Sequence, residues 1–227
     1  MKLKYVDKEK EVENVYSFIF ESSKKVSWQP GQYLHYELPH PDTDDRGIER
    51  WFTISAPSYE KNIMLTTRFD SERSSTFKKA LQKLEPGQEV EAGEPRGDFL
   101  LEPDASRHVL IAGGIGVTPY HSMLLQLDHD GKLLNIDLLY ANRDDNFVFD
   151  DEFQKLAAKH PEFKIHKFIG NQRITENDLK PYLENESVIF YISGPRPMVE
   201  TYQHLLEDLD VTPERIKTDY FPGYQLG

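Results

Sequence analysis

Cysteine is absent from the 227 residues, so the chain has no disulfide, no thiolate nucleophile and no cysteine-ligated iron-sulfur cluster. Long apolar runs are absent too. None approaches the roughly 20 residues that a membrane-spanning helix needs, and the opening MKLKYVDKEKEV is too polar for a secretory segment. The expected setting is therefore cytoplasmic, with no membrane insertion. Basic residues are in deficit, 27 Lys and Arg against 39 Asp and Glu, and the net charge of -12 disfavours nucleic acid or an anionic membrane as partner. A local phosphate site is still compatible with that charge, and an acidic surface would suit a basic redox partner or simply confer solubility. No internal repeat, low-complexity tract or metal site is expected. What the chain has in quantity is hydrophobic (38%) and aromatic (12%) residues, enough for one large or two modest globular domains.

The two halves differ in rhythm. Up to about residue 101 the pattern is mostly β, with period-2 alternation at Tyr16, Phe18 and Phe20 and again over residues 33–38. Further strands are predicted at 50–55, 62–69 and 89–92, and one helix at 75–84, where Phe77, Leu81 and Leu84 share a face. Short strands at this spacing predict an antiparallel barrel or sandwich. The stretch EPDASR, residues 102–107, reads as a linker, and residues 107–227 as a second domain. There, buried strands at 108–112, 135–141, 164–168 and 188–193 alternate with helices at 119–128, 150–160 and 197–209. Alternation of that kind predicts a parallel α/β sheet with helices on both faces.

The most informative stretch is HVLIAGGIGVTPYHSM, residues 108–123. A buried strand runs into Gly113, Gly114 and Gly116, followed by Val117, by Thr118 as a natural helix N-cap and by Pro119 as a natural first helical residue. Glycines at a strand end, followed by free helix amides, favour a bound anion such as a pyrophosphate. The match to the dinucleotide fingerprint is partial, because Pro119 stands where its third glycine would be, and a glycine-rich turn without a ligand is the alternative reading of these residues.

Three other segments could carry chemistry. RWFTIS, residues 50–55, offers Arg50 as a phosphate clamp, Phe52 as a flat surface and the Thr53 hydroxyl, although an ordinary barrel strand would look the same. Period 2 places Arg50 and Phe52 on one face and Trp51 and Thr53 on the other. In SERSSTFKKAL, residues 71–81, Ser74, Ser75 and Thr76 can cap the coming helix or share its start with a phosphate. In VIFYISGPRPMVE, residues 188–200, Ser193 and Gly194 end a buried strand at the sheet edge where open α/β folds bind ligands.

Together and in this order, these segments resemble the ferredoxin-NADP reductase family in its broad sense. RWFTIS resembles its flavin motif, while GGIGVTP and SGPRPM resemble its two pyridine-nucleotide motifs. PGQY, GEPRGDF, YANRDDNFVFDDEF, QRITENDL and the terminal YFPGY extend the likeness over nearly the whole chain. The resemblance implies an N-terminal antiparallel β-barrel that binds flavin, FAD in preference to FMN. It also implies a C-terminal α/β domain that binds NADH or NADPH and ends in a tail returning towards the flavin. By the same resemblance Arg50 holds the flavin pyrophosphate beside Ser74, Ser75 and Thr76. Phe52, next to Trp51, lies against the isoalloxazine, the Thr53 hydroxyl reaches flavin N5, and Thr66, Thr67 and Arg68 pass the ring edge. Gly113, Gly114, Gly116, Val117 and Thr118 cradle the dinucleotide, Gly194, Pro195 and Met198 border the nicotinamide, and Phe221 is an aromatic beside the flavin.

The implied activity is hydride transfer from NAD(P)H to flavin and electron delivery to a separate acceptor, such as a redox protein. Thr53, Ser193 and Phe221 are the residues nearest that chemistry, and no acid or base is assigned. Ser193 departs from the family, in which many members have cysteine there. The choice of nucleotide stays open: Arg143 and Arg173 suit a 2'-phosphate, whereas Asp144 and Asp145 would repel one. Two other readings are an electron-transfer subunit of a larger complex and a nucleotide-binding module without catalysis.

Overall fold

Apolar residues at every second position build the first sheet. The computed structural model describes residues 1–70, 72 and 74–221, with Phe221 described by its backbone alone. Strands β1 (Lys2–Val12), β2 (Val15–Ser22), β3 (Tyr33–Glu37), β4 (Glu49–Thr53), β5 (Ile63–Arg68) and β6 (Glu89–Ala92) form one antiparallel sheet in the order β4-β3-β6-β1-β2-β5. Its two edge strands meet where the Ser55 N–H, just after β4, donates to the Met64 carbonyl at 2.8 Å, which closes the sheet towards a barrel. Leu3, Tyr5, Phe18, Phe20, Leu34, Tyr36 and Leu65 point inward, while Lys2, Lys4, Glu89 and Glu91 alternate outward. Helix α1 (Thr76–Gln82) adds Phe77 and Leu81 to this core, each worth about 1.5–3 kcal/mol of burial. The Ser75 Oγ caps α1 by accepting the Lys78 N–H at 3.3 Å.

The second sheet is parallel, in the order β11-β10-β7-β8-β9. It comprises β7 (Arg107–Gly113), β8 (Ile136–Asn142), β9 (Lys164–Ile169), β10 (Val188–Pro195) and β11 (Ile216–Phe221). Between them run α2 (Thr118–His129), α3 (Asp150–Lys159), the short α4 (Glu176–Leu179) and α5 (Arg196–Asp208). Val109, Ile111, Leu139, Phe190 and Ile192 on the strands and Val199, Tyr202 and Leu206 on α5 share one core. The chain divides into two compact units, Met1–Leu100 with His121–Gln126, and Leu101–Tyr120 with Leu127–Gly227. Within the first unit His121–Gln126 is tied down by Ser122 Oγ accepting the Gly31 N–H at 3.3 Å and by the Gln126 side chain accepting the Ser58 N–H at 2.9 Å.

Two local expectations change. Residues 216–221, read as part of a tail, form an edge strand that pairs from Ile216 against Phe190 to Phe221 against Pro195. The alternation IKTDYF is half polar because an edge strand need not bury both faces. Thr118 is not an N-cap: it is helical, at φ -56° and ψ -42°, because a 3-10 turn over Gly114–Val117 has already turned the chain.

Gly116 explains itself within the second unit. A Cβ there would lie 2.2 Å from the Ser193 carbonyl oxygen and 2.6 Å from the Gly194 Cα, so the turn after β7 can approach the end of β10 only without a side chain. Gly113 is covered similarly, by the Met198 Sδ at 2.3 Å from a built Cβ. The glycines therefore let the two strand ends close on each other before any ligand is considered. Gly116→Ala is expected to destabilise the ligand-free protein by about 1–3 kcal/mol, measured by urea unfolding. Unchanged stability would show that the Ser193 backbone moves aside at no cost.

Candidate cofactor-binding site

In the first unit the β3–β4 register sets Tyr36 opposite Arg50 and Leu34 opposite Phe52, so Arg50 and Phe52 turn toward the interior. The Phe52 ring lies 5.8 Å from that of Tyr36 and 5.9 Å from that of Phe77, and the Arg50 guanidinium sits over the Phe77 ring at 5.5 Å. Its Nη1 donates to the carbonyls of Arg46 (2.6 Å), Gly47 (3.2 Å) and Glu49, and its Nη2 reaches Asp44 Oδ1 at 3.4 Å. Burial pulls the Arg50 pKa down, and Asp44 works against that shift.

Asp44 is the hub that ties the predicted phosphate clamp to the predicted helix start. Its Oδ2 accepts the Thr76 N–H at 2.9 Å and an Arg46 guanidinium N–H at 3.2 Å, and its own N–H donates to Thr76 Oγ1 at 3.1 Å. The Thr76 hydroxyl donates in turn to His40 Nε2 at 2.8 Å, because His40 Nδ1 already donates to the Leu38 carbonyl at 2.7 Å. Burial acts to raise the Asp44 pKa, but the Thr76 N–H and Arg46 outweigh it and hold the carboxyl below its ordinary range. Arg50, Arg46 and the Thr76 amide thus already surround an anion.

Other expected residues of this unit are placed less uniformly. Ser74 Oγ accepts the Asp70 N–H at 2.8 Å, Thr66 Oγ1 shares a 2.7 Å hydrogen bond with Ser17, and the Arg68 carbonyl accepts the Lys78 ammonium at 2.9 Å. Thr53 and Thr67 are buried. Trp51 faces outward, away from Arg50 and Phe52, with its ring 4.8 Å from that of His35. Ser71 and Arg73 of the helix-start segment lie outside the described residues, as does the Phe221 side chain.

In the second unit the carboxyl ends of neighbouring strands gather the remaining candidates. Ala112 pairs with Ser193, and the turn through Gly113, Gly114, Gly116, buried Val117 and buried Thr118 lies against Ser193, Gly194, Pro195 and Met198. Among the described residues the buried Ser193 hydroxyl has no hydrogen-bond partner, and neither has that of Ser55 in the first unit. Beside the turn, Tyr140 Oη donates to the Gly114 carbonyl at 3.2 Å, and Asn142 Nδ2 donates to Asp144 Oδ1 at 3.1 Å and to the Asn146 carbonyl at 2.9 Å. Arg143 is exposed at the end of β8. Arg173 lies past the end of β9, donating to the Gly170 carbonyl at 3.0 Å, and Gly170 N–H donates to the Asn142 carbonyl at 2.9 Å.

Asp44, His40 and Asn142 were not candidates from sequence. Asp44 and His40 lie in a polar loop whose aspartates and proline read as turn signals, and nothing local links them to Thr76, 32 residues on from Asp44. The assembled donors fit a phosphorylated flavin in one specific respect: guanidinium and backbone N–H groups are already arranged around a carboxylate, next to an aromatic ring.

Residues 110–204 match the family described as oxidoreductase NAD-binding domain. The chain is 28% identical over 217 residues to a flavohemoprotein of Rhodopirellula baltica, covering 86% of this chain and 53% of that protein. The FAD/NAD-binding domain of nitric oxide dioxygenase from Vibrio cholerae superposes with a TM-score of 0.80 at 21% identity, over 97% of this chain and 98% of that one. The cytochrome b5 reductase domain of Ulva prolifera nitrate reductase gives 0.82 at 21% identity, over 96% of each chain. The second unit thus matches an oxidoreductase NAD-binding domain, and the chain is similar along most of its length to proteins of the ferredoxin-NADP reductase type. The comparisons support the family expected from RWFTIS, GGIGVTP and SGPRPM, and the antiparallel sheet precedes the parallel one as that resemblance implies. The chain spans about half the length of the curated relatives it matches, 53% of the Rhodopirellula protein. Among the described residues no helix is long and apolar enough to cross a membrane, and no group of side chains is arranged to hold a metal ion.

The Asp44 cluster makes a pH prediction. A carboxyl whose folded pKa is depressed stabilises the fold above its unfolded pKa, and that contribution is lost as pH falls through the lower folded value. Asp44→Asn should therefore cost about 1 kcal/mol at about pH 7, with the gap to the parent narrowing towards about pH 3, as read from urea unfolding at both values. A gap independent of pH would show that charge is not what holds the cluster.

Proposed function

We propose that the chain is an FAD-dependent NAD(P)H oxidoreductase module that passes electrons to an acceptor outside these 227 residues. The observation that carries this reading is the meeting of Arg50 and Thr76 on one anion, the Asp44 carboxylate, in a chain whose family includes flavin-dependent reductases. Arg50 and the Ser75–Thr76 helix start would hold the flavin phosphates, with Ser74 shaping the turn before them. Phe52 would present its ring to the isoalloxazine, Thr53 its hydroxyl to N5, and Thr66, Thr67 and Arg68 the strand beside the ring. Held by these residues, the flavin would supply the two-electron chemistry that accepts a hydride from a nicotinamide.

The protein's own part is positioning, and no side chain is assigned as acid or base. Gly113, Gly114, Gly116, Val117 and Thr118 would receive the dinucleotide pyrophosphate at the turn into α2. Ser193, Gly194, Pro195 and Met198 would border the nicotinamide, where the Ser193 hydroxyl, without a partner among the described residues, would bond a carboxamide. Arg143 and Arg173, at the ends of adjacent strands, would face the adenosine end, and Phe221 stands in the family's terminal aromatic position. Flavohemoproteins and a cytochrome b5 reductase domain among the relatives support a haem protein as one kind of acceptor.

An anaerobic visible spectrum, taken after incubation with FAD or FMN and then with NADH and NADPH in turn, tests the reading. Bleaching of a bound flavin band is the expected outcome, and a protein that stays colourless with both flavins would sink it. Arg50→Ala should weaken FAD by at least about tenfold, equivalent to about 1.4 kcal/mol, measured by quenching of flavin fluorescence.

A further inference from the structure

The outer face of β4, β3 and β6 carries a charge arrangement that folding alone does not favour. Register sets Glu37 directly opposite Glu49 on one side and Glu91 on the other, so three glutamates stand on one rung of the sheet. Like charges placed directly across strands oppose pairing. Their compensation is slight. Lys2, opposite Glu91, gives its ammonium to Glu89 at 2.7 Å, and Glu49 reaches only His35, at 3.3 Å. Among the described residues Glu37 and Glu91 make no ion pair.

On the next rung of the same face stand Trp51 and His35, paired across β4 and β3. Trp51 is 53% exposed, on a strand at the sheet's edge. A tryptophan left in water beside carboxylates, two of them without an ion pair among the described residues, is the composition of a binding hot spot with a charged rim. A second copy of this acidic chain would bring like charges together here. The complement is a basic surface.

We propose that the face formed by Trp51, Glu49, Glu37 and Glu91 docks a lysine-rich, electron-accepting protein. Its role as acceptor rests on the reductase reading above, whereas the docking itself does not. The glutamates would steer the partner and set the salt dependence of its arrival, and Trp51 would supply the desolvated anchor.

The test uses the full flavin-loaded chain and oxidised cytochrome c as a lysine-rich probe. Direct binding is measured by calorimetry from about 10 mM to about 200 mM salt. The parent should bind at low salt, and the triple variant Glu37→Gln, Glu49→Gln, Glu91→Gln should bind at least about tenfold more weakly with a flatter salt dependence. Trp51→Ala should weaken binding by a similar factor while leaving the salt dependence intact. A control triple with the same change in net charge, Glu184→Gln, Glu207→Gln, Asp208→Asn, should bind as the parent does. Reduction of ferricyanide, a small anion that needs no protein docking, should be unchanged in the glutamate triple.

Failure of the parent to bind, equal weakening in the control triple, or self-association of the parent that Trp51→Ala abolishes would each overturn the proposal. Failure of the reductase reading would show separately, as a flavin that neither nucleotide bleaches while binding of the probe persists.

Discussion

Five cross-strand pairs between β3 and β4 decide which side of the sheet each residue of the RWFT segment serves. Because the side-chain period of a strand is 2, a slip of one residue would exchange Arg50 and Phe52 with Trp51 and Thr53. The register is held by Leu34 and Tyr36, both fully buried, which cannot be turned to water without emptying the core of the first unit. Arg50 is thereby delivered to Phe77 and Asp44, and Trp51 to the outer rungs beside the glutamates. One packing constraint thus produces both the cluster around Asp44 and a separate exposed face.

Electrostatics completes what packing positions. The Arg50 guanidinium is half-buried and would be costly to hold there without acceptors, so three backbone carbonyls and the Asp44 carboxylate surround it. Asp44 in turn satisfies a backbone donor at the start of α1 and links two segments that are distant in sequence. A phosphate presents to such donors the same chemistry as a carboxylate does.

The second unit solves a different problem. Parallel strands buried on both faces leave their ligand-facing chemistry to the turns at their carboxyl ends. There, Gly113 and Gly116 are required by the approach of Met198 and of the Ser193 backbone. A glycine-rich turn is therefore not by itself a record of a ligand. The Ser193 hydroxyl, buried and without a hydrogen-bond partner among the described residues, is the more distinctive feature of this strand end.

The order of the architecture was legible in the chain because it depends on local periodicity: alternation over Tyr16, Phe18 and Phe20, then apolar runs such as Val109 to Ala112 punctuated by helices. The family was legible because RWFTIS, GGIGVTP and SGPRPM are contiguous words. β11 escaped notice because an edge strand with one wet face reads as a polar tail, and the helical state of Thr118 escaped notice because the glycine turn before it adopts a 3-10 conformation that its composition does not announce. By itself, then, the sequence determined the two kinds of sheet, their succession and the residue types available for nucleotide chemistry. Only the tertiary structure decided that Asp44 joins Arg50 to Thr76 and that Glu49, Glu37 and Glu91 share a rung. Both depend on pairings between residues far apart along the chain, and such pairings are fixed by register and burial rather than by any local pattern.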